Sequence, residues 1–168
     1  MNCLVIAGEK SGEDHFMDLL SGFKSHSLHF FGVGGDRMQR EGVDLVYHLK
    51  DFSSWGVSEV VTKIPFYFQA FKRIIEEVEK RNCRHALLID FQSFNLRLAE
   101  KLSNKGVKIH YYVAPQAWAW KAWRVKALAR SVDFLYTIIP FEKKWFQKRG
   151  VSKIISISHP LKKRVRPY

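Results

Sequence analysis

The sequence predicts an α/β fold in which a Rossmann-like, doubly wound parallel sheet is covered by helices on both faces. Short apolar runs alternate with helical stripes along all 168 residues. There is no Asn-Gly or Asp-Gly pair to form a tight hairpin, so successive strands are expected to be parallel and joined by crossovers. The length suits one well-buried domain. We place it at residues 1–161, followed by a basic linker or truncated end at 162–168.

The predicted strands are short apolar runs bounded by turn residues. They are expected at residues 2–6, 28–33, 44–47, 86–89, 107–113, 133–139 and 154–157. Apolar residues three or four positions apart predict the helices between them. These are expected around residues 16–23, 36–40, 53–63, 67–78, 94–102, 121–130 and 141–149. Pro65 breaks or restarts the helical pattern, and Pro140 suits the first turn of the last helix.

Composition narrows the class of protein. A chain that is 46% hydrophobic and 14% aromatic is expected to pack into a globular domain rather than remain disordered. No apolar run reaches the roughly 18 residues of a spanning helix, and the first residues lack the basic start of a signal peptide. Cys3 and Cys83 are expected to be reduced thiols in a cytosolic protein. The seven histidines lack metal-ligand spacing, so we expect no metal and no cofactor.

Charge divides the chain into two unlike parts. Residues 1–96 contain 11 Lys and Arg against 13 Asp and Glu, whereas residues 97–168 contain 17 against 3. So basic a second part favours an anionic partner such as nucleic acid, an acidic bilayer or a phosphorylated substrate. A solvated basic surface is the plainer interpretation, but mutual repulsion among these charges disfavours it.

Asp90 stands where a buried strand ends and a helix begins. The strand is the apolar run at residues 86–89, and Phe94, Leu98 and Leu102 mark the helix. Ligands bind outside the carboxyl ends of the strands in an open α/β sheet, so a carboxylate there is a candidate for chemistry. Asp is also a favoured helix N-cap, and this position alone leaves both interpretations open.

Two glycine-rich loops are predicted at the same edge of the sheet. The first, residues 7–12, lies between a strand and a helix, where free backbone N–H groups favour an anion. It matches neither a Walker A loop nor a dinucleotide fingerprint, and a plain turn explains Gly8 and Gly12 equally well. Glu9 would repel phosphate and suits sugar hydroxyls better. Gly34 and Gly35 end the second strand, and together with Asp90 the two loops predict a ligand crevice.

Aromatic and basic side chains alternate in residues 110–124. The three tryptophans Trp118, Trp120 and Trp123 fall within six residues, next to several cations. They can belong to the core, or they can stack on bases or sugars or sit at a membrane interface. Trp145 and Phe146 repeat the mixture in a short amphipathic helix, which is typical of a protein lying on a membrane surface.

Seven motifs, in this order and spacing, resemble the lipid-A-disaccharide synthase family. They are Ala7–Gly12, Gly32–Met38, Trp55–Val60, Ile89–Asn95, Tyr112–Trp120, Pro140–Glu142 and His159–Leu161. The likeness covers essentially the whole chain but only the amino-terminal half of the family's length. It implies the amino-terminal, acceptor-binding domain of an inverting B-type glycosyltransferase, in which two Rossmann-like domains face each other.

The resemblance also implies a reaction and a location. The family transfers 2,3-diacylglucosamine from UDP-2,3-diacylglucosamine to 2,3-diacylglucosamine 1-phosphate, on the cytoplasmic face of the inner membrane. Asp90 matches its proposed general base. Substrate contacts are expected from Glu9, Ser11, Gly12, Gly34, Gly35, Asn95, Gln116 and Trp118. Contacts with an anionic membrane or acyl chains are expected from Trp123, Trp145 and Phe146. The UDP-sugar donor would bind mainly the missing carboxy-terminal domain, so this chain alone is expected to be inactive.

The sequence departs from the family pattern at four positions. Gln92 and Ser93 replace the usual Pro-Asp, Glu13 replaces an Asp, and Ser158 replaces the Gly before His-Pro. The alternative class is a basic α/β module that binds nucleic acid. Tight, salt-sensitive binding of RNA or DNA without lipid binding would favour that class.

Overall fold

A computed structural model describes residues 1–23, 27–52, 64–115 and 124–157 of the chain. Within them, seven strands form one parallel sheet. The strands are β1 (Asn2–Ala7), β2 (His29–Gly34), β3 (Asp44–His48), β4 (His85–Ile89), β5 (Lys108–Tyr112), β6 (Phe134–Thr137) and β7 (Ile154–Ser156). Their spatial order is β3-β2-β1-β4-β5-β6-β7. The predicted doubly wound parallel fold is therefore confirmed.

The helices of the described residues follow the strands in alternation. They are α1 (Lys10–Phe23), α2 (Asp36–Arg40), α3 (Leu49–Phe52), α4 (Ile64–Lys80), α5 (Gln92–Ser103), α6 (Arg124–Ser131) and α7 (Glu142–Gln147). The predicted helix at 53–63 and the terminal segment 162–168 lie outside the described residues. So do positions 121–123 of the predicted basic helix.

The order in which successive strands are added to the sheet reverses between β1 and β4. From β1 the strands proceed outward to β2 and β3, whereas from β4 they proceed the other way to β7. The two central strands are hydrogen-bonded in register, with Ile6 opposite Leu88 and Ala7 opposite Ile89. Ligands of doubly wound folds bind at the carboxyl edge of such a switch point. The fold thus directs attention to the segments that follow Ala7 and Ile89.

Both faces of the sheet are buried, which explains why its strands are continuous apolar runs. Leu4 and Ile6 of β1 belong to the core beneath α4, α5 and α6. Val5 and Ala7 point to the opposite face, where they pack with Phe16 of α1 and other side chains. The alternation along one strand therefore fills two separate cores, as the two-unit period of a strand requires.

Some boundaries differ from those that the sequence predicts. Helix α1 begins at Lys10, well before the apolar stripe that marks it, because its first turn packs at the end of β1. Helix α3 was not predicted, and Asp51 stabilises it by accepting the His48 backbone N–H at 3.0 Å. Pro65 lies in the first turn of α4, so it restarts the helical pattern rather than breaking it.

Candidate functional site

The carboxyl ends of β1 and β4 place the first glycine loop beside Asp90. Ala7 and Ile89 are paired in the sheet, so Gly8 and Asp90 leave it at the same level. Ser11 lies close enough to Asp90 to lower the pKa of its carboxyl group, and the negative charge of Asp90 raises the pKa of the nearby Glu9. The structure therefore brings Glu9, Ser11 and Asp90 together at one edge, as the sequence predicts.

Asp90 is held in a bent backbone. Its φ is +32°, a conformation that few non-glycine residues adopt and that occurs often at functional sites. Its backbone N–H donates to the Tyr112 carbonyl oxygen at 3.3 Å, which ties the bend to β5. The N-cap residue of α5 is Phe91, so the interpretation of Asp90 as the N-cap of that helix is wrong.

The surroundings of Asp90 make its carboxylate a stronger base than a free aspartate. Burial raises the pKa of Asp90, and His15 and the Ser11 hydroxyl offset this only in part. The pKa of Glu9 is also raised, first by burial and then by the negative charge of Asp90. Two carboxylates with raised pKa values are suited to accepting protons from hydroxyl groups and disfavour a bound phosphate at the same point.

Gly8 and Gly12 have packing roles in the first loop. A Cβ on Gly8 would lie 2.5 Å from the Phe91 ring. A Cβ on Gly12 would lie 3.3 Å from Ala7 and 3.5 Å from the carbonyl oxygen of Ile89. The Phe91 ring explains Gly8, and the close approach of α1 to the sheet explains Gly12, in both cases without a ligand. The substrate contact expected of Gly12 stays a prediction.

The second glycine loop is occupied by a side chain of the protein itself. Glu13 is 2% exposed, and its Oε1 accepts the Arg37 backbone N–H at 2.9 Å and that of Met38 at 3.4 Å. A Cβ on Gly35 would lie 2.4 Å from this oxygen, and one on Gly34 would lie 2.6 Å from the Met38 sulfur. Glu13 therefore fills the position that an anion would take at the start of α2, and the substrate contacts expected of Gly34 and Gly35 stay predictions.

Electrostatics stabilise the ionised form of Glu13. Burial opposes ionisation, but hydrogen bonds from Lys10 and from the backbone of Arg37 and Met38 hold the pKa of Glu13 below its usual value. Lys10 also forms an ion pair with Glu13. The Glu that replaces the usual Asp is therefore an internal clamp between α1 and α2.

A cavity of about 650 Å³ opens beside Asp90. Glu9 and Asp90 supply its acidic part, and Gln92, Ser93 and Arg97 add polar groups. Its remaining wall is apolar and comes from two helices and the strand end: Ile64, Tyr67, Phe68, Phe71, Phe91 and Phe94. A cavity with carboxylates next to an aromatic wall can hold a ligand that is partly sugar-like and partly hydrocarbon.

Sequence reasoning missed the aromatic wall of this cavity. Tyr67 and Phe71 were assigned to the apolar stripe of a helix, with no link to the site. Phe68 is 69% exposed and Ile64 47% exposed, although both are large apolar residues. Their position in α4 offered one signal, since apolar residues on two sides of an amphipathic helix exceed what one buried face needs.

The two positions that lack the usual Pro-Asp are tied to α6. Arg124 is 8% exposed and donates to the Ser93 hydroxyl at 2.9 Å and to the Gln92 side-chain oxygen at 3.4 Å. The hydroxyl of Tyr111, whose pKa is raised first by burial, donates to the Gln92 carbonyl at 3.4 Å. These bonds fix the first turn of α5, directly after Asp90.

Asn95 does not face the cavity. It is fully buried, and its Nδ2 donates to the Ile89 carbonyl oxygen at 3.2 Å. The side chain thus holds the end of β4 against α5. The predicted substrate contact of Asn95 is corrected to this structural role.

The predicted membrane contacts divide in the same way. Phe146 is fully buried between α7 and the sheet, so its assignment to the membrane surface is wrong. Trp145 is half-buried, and the Arg149 guanidinium carbon lies 3.9 Å from the centroid of its ring. The remaining aromatic and polar candidates, Gln116, Trp118 and Trp123, lie outside the described residues.

No group of three or more His, Cys, Asp or Glu side chains in the described ranges could hold a metal ion. No helix in the same ranges is both long and apolar enough to cross a bilayer.

Fold and site together define a Rossmann-like α/β domain with an acidic, aromatic-lined crevice at its switch point. The chain belongs to the LpxB family, described as lipid-A-disaccharide synthetase, whose sequence profile matches residues 3–168. It is 40% identical to the lipid-A-disaccharide synthase of Myxococcus xanthus over 151 residues, which is 89% of this chain and 39% of that protein.

Other relatives give the same coverage. The chain is 35% identical to the lipid-A-disaccharide synthase of Koribacter versatilis over 164 residues, which is 96% of this chain and 43% of that protein. It is 35% identical to that of Geobacter sulfurreducens over 166 residues, or 98% of this chain and 43% of that protein. The chain therefore spans about two fifths of the length of the curated relatives it matches.

Proposed function

We propose that this chain is the acceptor-binding part of a lipid-A-disaccharide synthase. The reaction transfers 2,3-diacylglucosamine from its UDP derivative to 2,3-diacylglucosamine 1-phosphate and releases UDP. The observation that carries the proposal is Asp90, a half-buried carboxylate of raised pKa that lines a largely apolar cavity. Membership of the LpxB family and the names of the relatives support it.

Asp90 is the general base in this proposal. It takes the proton of the acceptor's 6-hydroxyl while the oxygen attacks the anomeric carbon of the donor, whose bond to UDP breaks. A positioned carboxylate contributes about 10²–10⁴-fold to such a step, and a pKa raised toward the working pH suits the role. Glu9 lies next to Asp90 and binds a sugar hydroxyl in the same crevice.

The aromatic wall accommodates an acyl chain of the acceptor. Phe68, Phe71 and Phe94 line the same cavity as the carboxylates of Glu9 and Asp90. Burying hydrocarbon there contributes about 0.8 kcal/mol for each methylene group. The sugar is then held where the acidic and the apolar parts of the cavity meet.

The donor is assigned to polypeptide beyond this chain. The relatives are more than twice as long as the stretch they share with this sequence. We propose that UDP binds mainly to that remainder and that this chain by itself does not turn over. No cofactor takes part in the proposed reaction.

The proposed location is the inner face of the cytoplasmic membrane, as a peripheral protein. The excess of Lys and Arg in residues 97–168 favours an anionic lipid surface. Phe141 is 48% exposed and lies directly before α7, next to the exposed Lys143 and Lys144. Trp123 and Trp145 remain proposed contacts with acyl chains or headgroups.

The experiment that tests the base is Asp90→Asn in a full-length version of the protein. We expect transfer to fall by about 10²-fold or more while the fold is retained, because the amide cannot accept the proton. Asp44→Asn is the matched control, since Asp44 lies at the opposite end of the strands, paired with Arg81. Transfer at the wild-type rate by Asp90→Asn would refute the assignment.

A binding assay separates the proposal from the nucleic-acid alternative. Vesicles carrying 2,3-diacylglucosamine 1-phosphate are compared with RNA and DNA over a range of salt concentrations. The proposal predicts binding to the vesicles. Binding of nucleic acid that weakens steeply with salt, without vesicle binding, would favour the alternative.

A further inference from the structure

We propose that Ser11 and His15, one turn apart on α1, are positioning residues that hold the carboxylate of Asp90 in its reactive orientation. The proposal rests on Asp90 being the base of the proposed function. Ser11 and His15 have no direct part in the proposed proton transfer, so this role is additional to it. The sequence motif accounts for Ser11 only as a possible substrate contact.

Gly12, which has no side chain, allows helix α1 to pack closely against the end of β4. A Cβ on Gly12 would lie 3.3 Å from Ala7 and 3.5 Å from the Ile89 carbonyl oxygen, so the helix backbone nearly touches both strands. Ser11 and His15 are four residues apart and therefore share one face of the helix. Asp90 directly follows Ile89, so the turn of α1 between Ser11 and His15 lies beside Asp90.

Tyr112 links His15 to the backbone of Asp90. The rings of His15 and Tyr112 meet edge to face, with their centroids 5.9 Å apart and an angle of 62° between the planes. The carbonyl oxygen of Tyr112 accepts the Asp90 N–H at 3.3 Å. One residue of β5 therefore contacts the proposed positioning residue with its ring and the proposed base with its main chain.

The backbone around this contact is unusual at two adjacent strand ends. Asp90 has a φ of +32° and Val113, which follows Tyr112, has a φ of +66°. A positive φ is rare for any side chain and especially for a β-branched one. Such conformations persist where surrounding contacts impose them, and they cluster at functional sites. Here they occur side by side, where the chain leaves β4 and where it leaves β5.

Titratable groups from several elements lie near Asp90. Glu9 precedes α1, Tyr111 belongs to β5, Tyr67 to α4 and Arg97 to α5. Burial raises the pKa of Asp90, and His15 and Ser11 act in the opposite direction. The hydroxyl dipole of Ser11 and the positive charge of a protonated His15 each lower the pKa of Asp90. Both groups therefore favour the charged form that an acceptor of protons needs.

The direct test is an NMR titration of the 168-residue chain that follows the side-chain carboxyl carbon of Asp90. We expect His15→Gln and Ser11→Ala each to raise the pKa of Asp90, because each removes a group that favours the carboxylate. His29→Gln is the matched control, since His29 is exposed at the start of β2, at the end of the strands opposite to Asp90. It should leave the Asp90 titration unchanged.

Two further variants distinguish positioning from simple packing. His15→Phe keeps a ring against Tyr112, so it guards against loss of folding, and it should raise the pKa of Asp90 as His15→Gln does. The coupling between the two charges is reciprocal. Asp90→Asn should therefore lower the pKa of His15, by the same amount as loss of the His15 charge raises the pKa of Asp90. An Asp90 pKa unmoved by both His15 variants and by Ser11→Ala would overturn the proposal.

The activity of the full-length protein distinguishes the positioning role of Ser11 and His15 from the proposal that Asp90 is the general base. His15→Gln should shift the acid limb of the pH dependence of kcat/KM upward by the same amount as the NMR midpoint. Retained transfer by Asp90→Asn would overturn both proposals. An inactive Asp90→Asn together with an unshifted acid limb in His15→Gln would overturn only the positioning role.

Discussion

Replacing Glu13 should measure how strongly one buried carboxylate joins the first two helices. Glu13 is 2% exposed, and one of its oxygens accepts two backbone N–H groups of the first turn of α2. A hydrogen bond to a charged group contributes about 1.5–3 kcal/mol, and loss of a helix N-cap costs about 1 kcal/mol. The ion pair with Lys10 adds little, because that side chain is 65% exposed.

These contributions give the expected magnitudes. Glu13→Gln keeps an oxygen acceptor but loses the charge, so it should lower the free energy of unfolding by about 1–2 kcal/mol at pH 7. Glu13→Ala leaves the N–H groups of Arg37 and Met38 without their acceptor, so it should cost about 2–3 kcal/mol. For a chain of this length each kcal/mol lowers Tm by about 2–4 °C.

The pH dependence gives the sharper check. The pKa of Glu13 is lowered on folding, so its stabilisation is complete above the unfolded value of 4.5 and is lost as pH falls through the folded value. Urea denaturation followed by circular dichroism should therefore show a difference between wild type and Glu13→Gln that shrinks in acid. Glu76→Gln, the same change at an exposed position of α4, is the control. A difference that is absent at pH 7, or equally large at every pH, would refute the reasoning.

Two further predictions concern the stability effects of changes at Gly35 and at Asp90. Gly35→Ala should cost about 1–3 kcal/mol of stability in the same urea assay, because its Cβ would lie 2.4 Å from the Glu13 oxygen; Gly22→Ala, where a Cβ meets nothing, should be harmless. Asp90→Asn should stabilise the fold near neutral pH. Burial raises the pKa of Asp90, so wild type loses stability as the pH rises from 3.8 through the pKa of Asp90 in the folded state, and the uncharged amide avoids this loss. The stability gained over wild type should therefore grow between pH 4 and pH 7; a gain independent of pH would contradict the assigned cause.

The Glu13 clamp also changes how the first two motifs are understood. The first glycine-rich segment favours an anion when it is taken alone, and the second was expected to line a ligand crevice with it. In the fold, the acidic side chain of Glu13, directly after the first segment, reaches the start of the helix that follows the second. A motif's glycines can thus serve the contact between two motifs rather than a ligand.

Local features of the sequence determined the fold and the position of the proposed base. The order of apolar runs and helical stripes predicted the parallel sheet, because both periods are local consequences of backbone geometry. Asp90 was found because a polar residue ending a buried strand lies at the ligand edge of any such sheet. Family resemblance added its expected role, which remains a proposal.

Only the tertiary structure decided which side chains share a site. Phe68 of α4 and Phe94 of α5 lie 26 positions apart, yet both line one cavity. Asn95 and Phe146 were expected to contact ligand or lipid, and both are buried. The physical reason is that a residue's accessibility depends on which elements pack over it. Periodicity gives the direction of a side chain within its own helix, but long-range packing determines what that side chain meets.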